Sequence, residues 1–192
     1  MVWGDRKRMT AVVALIALTL AATTGCAAAA TGGPTLADTK SPVQLLRNEV
    51  ASRIPPAVIE TVSETEDYSI RCKSESEDPI GLRRSWHSNA QVTVEAGAIW
   101  RVDTIVDEIG QSFADQGWSA APVTVDDHTH AVELTREGSA SEIRVSAHRP
   151  NPEAPLASDE GEPVTIDVEL HGPCVDTEGP DSDAVRKLEA QD

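Results

Sequence analysis

Two stretches of alternating hydrophobicity, far apart in the chain, each run into a cysteine. Tyr68, Ile70 and Cys72 share one parity, and so do Val164, Ile166, Val168, Leu170, Gly172 and Cys174. Alternation of this kind puts one set of side chains on one face of a strand. Both thiols therefore extend faces that read as buried, the placement that a bridge between two strand ends needs. Closing a loop of about 100 residues stabilises a fold by roughly 4 to 5 kcal/mol in the chain-entropy model. Two buried free thiols are the alternative.

The start of the chain sets its compartment. Arg6, Lys7 and Arg8 precede an apolar run over residues 11–22, and Thr23, Thr24, Gly25 and Cys26 come next. Twelve residues span about 18 Å as a helix, short of the ~20 residues that a bilayer core requires. Basic residues ahead of the run favour a cytoplasmic start and export of the rest of the chain. The segment reads as a secretory signal peptide over residues 1–25. Its end resembles the lipobox of bacterial lipoproteins in Gly25-Cys26, and departs from it in Thr23, where Leu is usual. The resemblance implies that Cys26 becomes the first mature residue and carries acyl chains, an anchor that is stable only with more than one chain. Cleavage among Ala27 to Ala30, or an uncleaved anchor running to Thr31, are the other readings.

The chain has three cysteines. With Cys26 given to lipid, Cys72 and Cys174 are left as an even pair in an oxidising compartment, where a structural disulfide persists. Removing residues 1–25 takes away three basic residues and one acid. The remainder carries 13 Lys and Arg against 31 Asp and Glu, a net charge of −18. Such a surface repels nucleic acid and anionic headgroups.

Residues 26–40, with Gly32-Gly33-Pro34, read as a flexible tether. A helix then opens at Ser41 as cap, with Pro42 first and Gln44 completing a capping-box pattern. Its apolar side is expected at Leu45, Leu46, Val50 and Ile54, ending at Pro55-Pro56. Strands are expected near residues 67–74 and 85–95. The strongest helical pattern covers residues 98–116, with Val102, Ile105, Val106, Ile109 and Phe113 on one stripe and Gly117 as C-terminal cap. Trp100 is expected on or beside that stripe, and Trp118 packed back on the core. Three more strands are expected at 121–125, 131–136 and 142–147, the first two joined in a hairpin through Asp126 to His130. A last strand covers 164–171, and residues 175–192 read as a mobile acidic tail. The expectation is one α+β domain over 41–174. A mostly antiparallel sheet of about five to six strands carries two helices on one face and one disulfide.

The lipobox, the tether, the helix ending Asp115-Gln116-Gly117-Trp118, the meander and the final Gly172-Pro173-Cys174 together resemble small uncharacterised lipoproteins of actinobacteria. The resemblance implies export and attachment to the outer face of the cell membrane through Cys26. It implies no activity. Candidate chemistry in the residues is sparse. His128 and His130, with Asp126 and Asp127, could ligate a divalent metal, against the alternative of a solvated turn. His87, His148 and His171 are scattered in sequence. Asp181-Ser182-Asp183 lacks the glycine and terminal Glu of a calcium loop. Arg83, Arg84 and Trp86 form the one basic and aromatic cluster, a candidate contact for an anionic partner. Serine-nucleophile, metalloprotease and phosphate-loop motifs are missing. The resulting expectation is a non-catalytic binding or envelope module with an unidentified protein or envelope partner, no cofactor and no nucleic acid. A metal-dependent hydrolase using His128 and His130, and a passive envelope protein, are the alternatives.

Overall fold

The computed structural model describes residues 33–149 and 163–190, except the side chains of Ser63 and Glu64. The signal segment, Cys26 and most of the expected tether lie outside the described residues. No helix among the described residues is long and apolar enough to cross a membrane.

Helix α1 (Leu36–Ala51) is followed by the paired strands β1 (Ile59–Arg71) and β2 (Arg83–Val94). Helix α2 (Val102–Ala114) leads to β3 (Ser119–Asp126), β4 (Thr129–Thr135), β5 (Glu142–His148) and β6 (Thr165–His171). A short β7 (Val175–Asp176) and helix α3 (Asp183–Glu189) complete the chain. The strands form one sheet in the order β1-β2-β6-β5-β4-β3, every pair antiparallel, with β7 beside the start of β2.

Register decides which face of this sheet is the core. Ala90, Val168, Val145 and Val132 stand in one row across four strands, and Ser88, Leu170, Ile143 and Leu134 in the next. All eight are buried, and directly opposed residues share a face. Helices α1, on β2 and β6, and α2, on β3 to β5, both cover that face. The expected α+β architecture is thus present, with two helices on one side of an antiparallel sheet.

Helix α2 carries the buried stripe Val102, Ile105, Val106, Ile109 and Phe113 that its spacing dictates. It ends where Gly117, at φ +86°, allows Trp118 N to reach back to Phe113 O at 3.1 Å. Trp118 then packs edge-on against Phe113. The segment before it departs from expectation: residues 96–101 form a 3-10 turn, and Trp100 is 77% exposed.

Helix α1 starts earlier than expected. Its cap is Thr35, whose Oγ1 accepts from Asp38 N while Asp38 Oδ2 accepts from Thr35 N. That reciprocal pair caps the helix six residues ahead of Ser41, and Pro42 lies inside the helix on its exposed side. The buried stripe becomes Leu36, Thr39, Val43, Arg47 and Val50, leaving Leu45 in solvent.

The segment expected as a tail carries β7 and α3. Val175 and Val185 are buried, Ser182 caps α3, and α3 packs on β1. Lys40 Nζ donates to Leu188 O at 2.9 Å, and Glu189 Oε1 accepts from both Ser69 N and Ser69 Oγ. Cys72 and Cys174 are bridged, with Cα atoms 6.0 Å apart and a sequence separation of 102.

Candidate functional site

With both large helices on one side, the other face of the sheet is left to polar side chains. One row on that face crosses four strands. Tyr68 of β1 opposes His87 of β2, His87 opposes His171 of β6, and His171 opposes Glu142 of β5. The rings of Tyr68 and His87 lie 4.7 Å apart between centroids, and those of His87 and His171 4.8 Å apart. Glu169, two residues before His171 on the same strand, projects from the same face.

The carboxylate sits between the imidazoles. Glu169 Oε1 accepts from His171 Nε2 at 3.1 Å, and His87 Nδ1 stands 3.9 Å from the same oxygen. The three donor atoms all lie within 4.8 Å of one another. The second oxygen, Oε2, faces Arg144 Nη1 at 4.0 Å. Beside the row, Glu133, Glu142, Arg144, Glu169 and His171 line a small cleft.

Burial grades along the row. His87 is buried, while Glu169 and His171 are about one-third exposed. Nδ1 of His87 has no hydrogen-bond partner among the described residues. Neither does Oδ1 of Asn89, the residue directly opposite Glu169. Burial, with the neighbouring His171, lowers the pKa of His87, against the opposing pull of Glu169 and Asp67. The hydrogen bond from His171 holds the Glu169 carboxyl below its usual range despite partial burial. Burial, then Glu66 and Glu169, raises the Tyr68 hydroxyl. Neutral imidazole beside ionised carboxylate is the protonation state in which such groups donate lone pairs.

The residues singled out in sequence fall elsewhere. His128 and His130 do sit at a β3–β4 hairpin. His130 Nε2, however, pairs with Asp107 Oδ1 of α2 at 2.8 Å, and Asp126 Oδ1 caps the turn by accepting from His128 N. Asp127 is exposed in the same turn. Among the described residues, the imidazole and carboxylate donors that converge are His87, Glu169 and His171, not this hairpin set. The three residues of the basic and aromatic cluster differ in exposure. Trp86 is fully buried, with Nε1 3.3 Å from Asp67 Oδ1 and Lys40 Nζ over its ring. Arg84 is buried and donates to Ser69 Oγ and Ser69 O. Arg83 alone is at the surface, paired with Asp176.

Glu169 and His171 share a parity that the sequence displays. What it does not display is the β2–β6 register that sets His87 opposite. The chain matches no protein-family model, no curated protein and no solved structure.

Proposed function

We propose that this chain is an extracytoplasmic lipoprotein, exported by residues 1–25 and held at the membrane's outer face through lipid on Cys26. Its folded domain acts as a non-catalytic binding module. The observation that carries this reading is the convergence of His87, Glu169 and His171, flanked by Tyr68, on the sheet face that the helices leave free. Binding groups gathered on the rigid strands of a sheet keep their geometry without reorganisation. The Cys72–Cys174 bridge supports an oxidising compartment. The net charge of −18 on the mature chain disfavours nucleic acid and anionic lipid as ligands.

Cell fractionation of a Cys26→Ser variant tests the anchor. Wild-type chain stays with membranes through a high-salt wash, and the variant appears in the soluble extracytoplasmic fraction. A variant that fractionates like wild type would overturn the lipid anchor.

A further inference from the structure

We infer that His87, Glu169 and His171 form a site for a divalent transition cation of the zinc class, bound through His87 Nδ1, Glu169 Oε1 and His171 Nε2. The inference deepens the binding reading above by naming its ligand, and it stands or falls separately from the Cys26 anchor.

Several independent observations meet at this place. Donor atoms from two adjacent interior strands lie within 4.8 Å of one another. Tetrahedral zinc at bond lengths of about 2.1 Å sets its ligand atoms about 3.4 Å apart. The Glu169–His171 and His87–Glu169 separations, 3.1 and 3.9 Å, bracket that figure. The third side, His87 Nδ1 to His171 Nε2, is no wider than 4.8 Å, so the two imidazoles draw closer together on binding.

The neighbourhood is also short of donors. Among the described residues a buried His87 Nδ1 and a buried Asn89 Oδ1 lack hydrogen-bond partners, and both flank Glu169. A buried polar atom without a partner is destabilising; coordinating a cation through Nδ1 removes that penalty for the imidazole. Arg144 faces Oε2 and leaves Oε1 to the imidazoles. On coordination the proton that His171 Nε2 donates to Glu169 leaves that nitrogen, and the ring binds as the neutral tautomer protonated on Nδ1.

Ligand type selects the class of ion. Two imidazoles and one carboxylate suit zinc, copper(II) or nickel, whereas calcium and magnesium prefer all-oxygen sets. Three protein donors leave a further coordination position for water or for a donor from a partner.

The test is calorimetric titration of the full mature chain, extracted in detergent and stripped with chelator, with zinc chloride. Saturable uptake of one equivalent is expected. His171→Ala and Glu169→Gln, both at partly exposed positions, should each weaken binding on the order of tenfold or more. His130→Ala should leave it unchanged. His87 is followed by its 15N imidazole resonances, which should shift with those of His171 on zinc addition. Absence of saturable uptake, uptake unaffected by both substitutions, or loss on His130→Ala instead would each overturn the site. A Cys26→Ser chain should titrate like wild type, so the anchor and the cation site fail separately.

Discussion

Arg47 of α1 and Asp67 of β1 form an ion pair at 3.1 Å, with each side chain only 10% exposed. Arg47 Nη1 also donates to Asn89 O, and Asp67 Oδ1 accepts from Trp86 Nε1. One guanidinium therefore ties the first helix to β1 and β2 directly beneath the fully buried tryptophan. Its stem lies within the buried stripe of α1.

Removing one partner of such a pair leaves the other charge buried. Arg47→Met should destabilise the domain by about 3 kcal/mol or more. The double variant Arg47→Met, Asp67→Asn should recover part of that loss. Urea unfolding of the three chains measures both quantities, and equal costs for the single and double variants would contradict the coupling.

The disulfide joins residues 102 positions apart and ties the end of β1 to the segment between β6 and β7. Replacing both cysteines with serine should cost about 4 kcal/mol, chiefly by freeing the unfolded chain. Urea midpoints for wild type, the double variant and reduced wild type check this. The last two should agree.

Asp78 gives the acid limb of stability a defined source. Its Oδ2 accepts from Arg83 N at 2.8 Å, and its Oδ1 from Leu82 N and Gly81 N at 3.0 Å. The bond from Arg83, then that from Leu82, holds the carboxyl below the usual carboxylate range. A folded pKa below the unfolded one contributes stability that is complete above the unfolded value. That stability is lost as pH falls through the folded value. Asp78→Asn should therefore be less stable than wild type at pH 7, with the gap narrowing at about pH 3 and below. Unfolding midpoints at the two pH values provide the comparison.

Gly172 is set by close approach rather than by backbone conformation. A Cβ there would stand 2.7 Å from Val43 Cγ2 of α1, so Gly172→Ala should cost about 1 to 3 kcal/mol by overpacking. Adding Val43→Ala opens space for the methyl. The double variant should then lose less than the sum of the two single changes, as thermal melts would report.

Much of the fold is legible in the sequence because local and tertiary signals agree. In α2 the apolar stripe, the Gly117 cap and the adjoining Trp118 all point to one helix end. The start of α1 is not legible, because Thr35 with Asp38 and Ser41 with Gln44 offer two capping patterns six residues apart. Burial of Leu36 and the packing of Val43 against Gly172 select the first. The order of the tail is equally hidden, because Val175, Val185 and Leu188 are too few to declare themselves in an acidic segment. They are ordered by β2, by Lys40 and by Ser69, far away in sequence. The site divides in the same way: Glu169 and His171 share a visible parity, while His87 joins them only through strand register.

The measurement that bears most directly on an exported, membrane-held domain is the intact mass of the mature chain from membranes, with and without reduction. The account predicts a mass of residues 26–192 plus acyl chains, rising by about two daltons on reduction as the bridge gains its two hydrogens. An unlipidated chain beginning among Ala27 to Ala30, or a mass unchanged by reductant, would contradict it.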